Sequence, residues 1–197
     1  MRGQISKICN WKQLLNEEGK IIGWGSSRKV YDDGSNIVMK KAYESIGIFQ
    51  NENEAMLSKQ SDVNEILNVV IDYADDFTWI KTKKAVLVSD DDITNYIKYF
   101  WDLERYFNYG FLEDEHRMYL DNNEFVQKLK ILIDKYKLNY MDLTNYKNYG
   151  LINNKLKLID FGLTTDYNKN NYKMKLTESY RKRLLELAGV KKKPMTA

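Results

Sequence analysis

The sequence has one cysteine, one proline and one histidine in 197 residues. A lone Cys9 excludes an internal disulfide and a cysteine cluster for zinc, and a reducing, cytoplasmic setting is expected from it. The single histidine, His116, stands in the charged run Glu113-Asp114-Glu115-His116-Arg117. It is expected at the surface, which leaves histidine triads and histidine-rich metal sites without support. No apolar run approaches the length of a membrane span, and Met1 to Asn10 has none of the apolar core of a signal peptide. An excess of one charge sign is also missing. The formal charge is +3, from 31 basic and 28 acidic residues, which does not mark a nucleic-acid binder. The basic cluster at Arg181, Lys182, Arg183 and Lys191 to Lys193 is expected to be a solvated helix face and tail.

What is present is a globular composition, 43% hydrophobic and 13% aromatic, enough for one core or two small lobes. A short helix is expected over 10–16. Between 20 and 42 the pattern changes to strands and turns. Ile21-Ile22 leads into Gly23-Trp24-Gly25-Ser26-Ser27. Lys29-Val30-Tyr31, the turn Asp32-Asp33-Gly34-Ser35 and Ile37-Val38-Met39-Lys40 follow. Asp33-Gly34 is a hairpin signal, since glycine accepts the positive φ of such turns. A helix over 48–60 and strands near 69–73 and 78–82 complete a small antiparallel sheet. Ala85-Val86-Leu87-Val88 either ends that sheet or connects onward.

Ser89-Asp90-Asp91-Asp92 has the character of a helix start. Ile93, Ile97, Phe100, Trp101, Leu103, Phe107 and Phe111 then recur at near-helical spacing and predict one long helix. A second long helix is predicted over 123–137, capped by Asn122 or Asn123. Residues 139–148 read as irregular. Gly150-Leu151-Ile152, Asn153-Asn154 and Lys155 to Ile159 form a last hairpin, because Asn tolerates the left-handed turn. A closing helix is expected over 176–188, with Pro194 beyond it.

Some of these segments carry chemistry. Glycines at 23 and 25 let a hairpin approach phosphate oxygens and offer backbone N–H groups. Lys40 sits on a strand beneath that turn, and strand alternation sends Lys41 to the other face. Leu156 to Ile159 delivers Asp160 at a strand end, followed by bulky Phe161 and flexible Gly162. A carboxylate there suits a hard cation such as Mg²⁺.

The order of these segments resembles the protein-kinase superfamily over roughly residues 20–165. The resemblance implies an α+β, two-lobed kinase-like fold. Residues 1–88 would be the N-lobe, with an antiparallel sheet and one helix, and 89–197 a reduced, mostly helical C-lobe. It implies that Gly23, Gly25, Ser26, Val30 and Lys40 bind ATP, and that a glutamate on the following helix holds Lys40. Glu54 is favoured because it shares a face with Leu57, and Glu52 is the alternative. Arg28 replaces the third glycine of the pattern, and either adds a phosphate contact or points to solvent. Asp142 takes the place of the residue that orients or deprotonates the acceptor hydroxyl. Asn148, or alternatively Asn145, joins Asp160 as a Mg²⁺ ligand. The sequence departs from the pattern in two ways here. Tyr140-Met141 replaces His-Arg before the Asp, and Asp142 to Asn148 is one residue longer than usual.

Thirty-five residues follow Gly162, without an Ala-Pro-Glu, so the second lobe is expected to be trimmed and control by activation-loop phosphorylation is not expected. The implied activity is transfer of the ATP γ-phosphate to a hydroxyl, on a protein substrate. The alternative is a pseudokinase-like module that binds nucleotide or a partner protein. A third reading is a small-molecule kinase whose acids Asp90 to Asp92 draw in a cationic substrate. No membrane or nucleic-acid partner is expected.

Overall fold

The hairpin signals of residues 20–42 build the first part of the fold. A computed structural model describes residues 19–110 and 112–164. The expectations for Cys9, the helix over 10–16, Phe111, the helix over 176–188, the basic cluster and Pro194 lie outside the described residues. Strands β1 (Lys20–Trp24), β2 (Arg28–Asp32) and β3 (Ile37–Ala42) pair antiparallel in succession. The Asp32–Ser35 turn closes by local chemistry. The Asp32 carboxylate accepts from Gly34 N and the Asp33 carboxylate from Ser35 N, each at 2.9 Å, and Gly34 takes φ +87°. Along β3 the side chains alternate, which buries Val38 and Lys40 on one face.

Helix α1 (Ser45–Leu57) follows, then β4 (Val70–Tyr73) and β5 (Trp79–Lys83). The finished sheet is antiparallel with order β1-β2-β3-β5-β4. The chain is therefore α+β. The buried face of α1 comprises Gly47, Gln50, Asn51, Glu54, Ala55 and Leu57, a helical stripe in which polar groups outnumber large apolar ones. Met56, read as one of its apolar positions, is exposed.

Strand β6 (Val86–Leu87) resolves the open question about residues 85–88. It leaves the five-stranded sheet and forms the edge of a second one, in the order β6-β7-β8, with β7 (Tyr149–Ile152) and β8 (Lys155–Leu158). Asn153 and Asn154 both adopt positive φ in the β7–β8 turn, as a tight hairpin requires. The bridge between Leu67 and Leu158, and the 2.9 Å bond from Asn68 N to Leu158 O, tie this hairpin to the first sheet's connections.

The single long helix predicted after Ser89 is a correction. The chain forms 3₁₀ turns at Ile93–Asn95 and Phe100–Asp102, and only one short helix, α2 (Leu103–Asn108). Ile93, Ile97, Phe100 and Leu103 are all buried in the core. Their spacing tightens to three, which a 3₁₀ turn satisfies as well as an α-helix. Ser89 and Asp92 are used in starting the first of these turns, with Ser89 Oγ donating to Asp92 at 2.6 Å and accepting from Asp92 N at 3.2 Å.

Helix α3 (Asp114–Asn122) covers the charged run around His116, where no helix was expected. It also moves His116 off the open surface. The ring stacks on Tyr99, and Nδ1 lies 2.7 Å from Asp102. Helix α4 (Glu124–Asp134) matches the second predicted helix and begins at Asn123, whose side chain accepts from Val126 N at 3.1 Å. It ends at Asp134, and the turn that follows takes φ +59° at Lys137. Residues 139–148 hold a one-turn helix, α5 (Tyr140–Leu143), and a 3₁₀ turn at Tyr146–Asn148. One apolar cluster joins these helices to the second sheet, with Leu120, Val126, Leu129, Leu132, Leu143, Tyr149, Leu158 and Phe161 all buried. Among the described residues no helix is long and apolar enough to cross a membrane.

Candidate functional site

A cleft of about 450 Å³ opens between the first sheet and the segments on either side of the β7–β8 hairpin, Asn145 to Asn148 and Ile159-Asp160. That size falls within the range of small-molecule sites, roughly 300–1,000 Å³. Gly23, Gly25, Ser26, Val30, Lys40, Asn148 and Asp160 all line it, together with apolar Ile22, Val38, Ala85 and Leu87. The structure thus brings together every residue expected at the nucleotide and the metal. Glu54 and Asp142 are not part of the lining. The first lies beneath it and the second beside it.

The β1–β2 turn forms the roof. Gly25 N donates to Arg28 O at 2.9 Å, which closes the turn, and the Tyr43 hydroxyl donates to Gly25 O at 2.6 Å. A Cβ on Gly23 would press on Val30 at 3.3 Å, so a side chain there would crowd the hairpin. Ser27 Oγ donates to Gln50 Oε1 at 2.5 Å and anchors the turn to α1.

Lys40 supplies the floor. Its ammonium lies 2.7 Å from Glu54 Oε2 and also donates to Ile159 O. Glu54 is fully buried, which decides between the two glutamates considered from the sequence. The reason is the α1 stripe. Residues 47, 50, 51 and 54 share one face, and that face meets the sheet. Phe161 N donates to the other Glu54 oxygen at 3.3 Å, which links the lysine pair to the Asp160-Phe161-Gly162 segment.

Arg28 does not point to solvent. It is 5% exposed and turns inward, where it joins the lining of the cleft. One terminal nitrogen lies 2.8 Å from Glu54 Oε1 and hydrogen-bonds Asp160 Oδ1, while the other donates to Asn51 Oδ1 at 3.2 Å. Burial works against its charge, but Glu54 and Asp160 outweigh that and raise its pKa. For Asp160, burial pushes the carboxyl up. Arg28 and Lys40 overcome this and hold it below the ordinary carboxylate value. The Asp160 side chain still shows 53% of its surface to the cleft.

Gly162 explains how this segment lies so close to α1. Its φ is +119°, and a Cβ there would stand 2.7 Å from Gln50 O. Asn53 adds a hydrogen bond to Gly162 O at 2.8 Å.

Asp142 sits in α5, held by local capping. Asn139 accepts from Met141 N at 3.0 Å, and Asn139 N donates to Leu163 O at 2.9 Å. Burial, then the charge of Asp160, raises the Asp142 carboxyl to about 6, with Arg28 pulling the other way. Asn148 donates its amide to Asp142 O at 2.8 Å, and its own carbonyl accepts from Ile159 N at 2.7 Å. Asn145 is used inside the loop, where it accepts from Lys147 N at 3.1 Å.

Thr82 Oγ1 is buried, lines the cleft and has no hydrogen-bond partner among the described residues. Such an orphan costs about 1–3 kcal/mol, which a polar ligand atom would offset. Of the two ligands expected for Mg²⁺, Asp160 already has Oδ1 engaged by the Arg28 guanidinium, a positive charge that opposes a cation at that oxygen. The Asn148 amide donates its N–H to Asp142 O, which leaves its oxygen as the ligand atom. Sequence reasoning missed Gln50, Asn51 and Thr82. The Gly47-Gln50-Asn51-Glu54 spacing was the available signal for the first two. No model of a known protein family matches the chain, and no curated protein matches it in sequence.

Proposed function

We propose that the chain is a protein-kinase-like domain of two lobes, 1–88 and 89–197, that binds ATP and transfers its γ-phosphate to a hydroxyl on a protein. The observation that carries this reading is the buried Lys40–Glu54 pair beneath a glycine hairpin and beside Asp160. A lysine held by a helix glutamate is the arrangement that positions nucleotide phosphates in this class. Lys40 and Arg28 meet the phosphate charge. Asp142, with its carboxyl raised to about 6, takes the proton of the acceptor hydroxyl. The hydroxyl oxygen bonds to the γ-phosphorus, the bond from that phosphorus to the β,γ-bridging oxygen breaks, and ADP leaves. ATP chemistry of this kind goes with a cytoplasmic setting.

A second reading, a nucleotide-binding module without turnover, is favoured by one observation, the Arg28 side chain on Asp160. Incubation of the purified chain with labelled ATP and a generic protein acceptor separates the two. Phosphate transfer is expected from the wild type, falling by at least about a hundredfold in Asp142→Asn. A rise in Tm with ATP but no transfer leaves the binding module. Neither transfer nor a rise in Tm overturns the nucleotide reading.

A further inference from the structure

Arg28 stands at the third position of the Gly23-x-Gly25-x-x pattern, yet its side chain reaches across the cleft to a residue 132 positions away. Its guanidinium holds three partners at once, Glu54, Asp160 and Asn51. It cannot leave Asp160 without disturbing a buried network, because Glu54 and Asn51 grip the same group. Arginine does not deprotonate in proteins, so this counter-charge is permanent. Two buried cations, Arg28 and Lys40, therefore balance the two carboxylates Glu54 and Asp160 with no metal ion needed. Arg28 also lines the cleft, and of the five N–H donors of its guanidinium three are engaged by Asn51, Glu54 and Asp160, which leaves two for phosphate oxygens.

We propose that Arg28 takes the place of a divalent cation in this cleft, so that the triphosphate of a nucleotide binds to Arg28 and Lys40 independently of Mg²⁺. The inference rests on the nucleotide reading and adds to it which cation the phosphates meet. A side chain in place of a metal also accounts for the departure from glycine at position 28. At that position a glycine would leave the Asp160 carboxylate open to a hydrated ion.

The test is calorimetric titration of the full chain with ATP, once in EDTA and once in excess Mg²⁺. The wild type is expected to bind ATP with a Kd that differs by less than about threefold between the two conditions. In Arg28→Gly, metal-free affinity is expected to fall by about tenfold or more, and Mg²⁺ to restore it. Arg28→Lys keeps the charge but loses the fork, and is expected to lie between the two in metal-free affinity. A wild-type Kd that tightens by about tenfold or more with Mg²⁺ overturns the inference while leaving the nucleotide reading intact. So does an Arg28→Gly variant with unchanged metal-free affinity. The wild-type comparison decides by itself if Arg28→Gly does not fold. No ATP binding in either condition overturns the nucleotide reading, and this inference with it.

Discussion

The two halves of the molecule bury different chemistry. Every buried polar or charged side chain among the described residues lies between Ser27 and Thr82, in the first sheet, α1 and their connections. From Val88 onward the buried side chains are apolar or tyrosine, centred on Ile97, Phe100, Leu129 and Tyr149. The helical half is held by non-directional burial of apolar surface, which tolerates adjustment. The sheet half is held by an ion network that is stable only while each member keeps its partner. On the proposed function, the α1–sheet interface is where buried charge meets the nucleotide, while the apolar core of the helical half is the support beneath Asp142, Asn148 and Asp160.

Glu54→Gln breaks this comparison at its most sensitive point. It leaves Lys40 without its ion-pair partner and removes one of the two from Arg28. A loss of roughly 3–5 kcal/mol is expected, because buried charge is left uncompensated. Urea unfolding checks it, and a loss below about 1 kcal/mol would show that water reaches the pair and that the network is not a buried one.

Leu129→Ala probes the other half. Leu129 is fully buried in α4, and its truncation is expected to cost about 2–5 kcal/mol. Under conditions where the variant stays folded, ATP affinity should match the wild type, since Leu129 does not line the cleft. A parallel fall in affinity would mean that the two halves do not divide support from chemistry.

The smallest effect is a pH dependence. The Asp142 carboxyl is raised to about 6 in the folded state, above an unfolded value near 3.9. The folded state therefore binds this proton more tightly, and the stability it contributes is present below pH about 4 and lost as pH rises through about 6. Asp142→Asn mimics the protonated form. Its urea midpoint should exceed that of the wild type at neutral pH and converge with it near pH 4, while phosphate transfer is lost. A midpoint difference that does not change with pH would remove burial as the cause.

Much of the site was legible because it depends on local rules. Alternation along β3 put Lys40 on the buried face. The Asp33-Gly34 and Asn153-Asn154 turns declared two hairpins, and the position of Glu54 on α1 distinguished it from Glu52. The helical half was harder to read. A spacing of three and four in Ile93, Ile97, Phe100 and Leu103 fits both an α-helix and successive 3₁₀ turns, and the choice depends on how the core is filled. Asp114–Asn122 was hidden by its charge, since most of its side chains face solvent and only Leu120 is buried.

By itself the sequence determined the strands, the hairpins and the alternation that aims Lys40 inward, because turn chemistry and side-chain period act over a few residues. Only the tertiary structure decided what Arg28 does. Its side chain is long enough to reach solvent or the cleft floor, and nothing within its own hairpin favours one over the other. The choice was made by buried Asn51 and Glu54 on a helix and by Asp160 at a distant strand end, whose charges and polar atoms require a cation once the fold has brought them together.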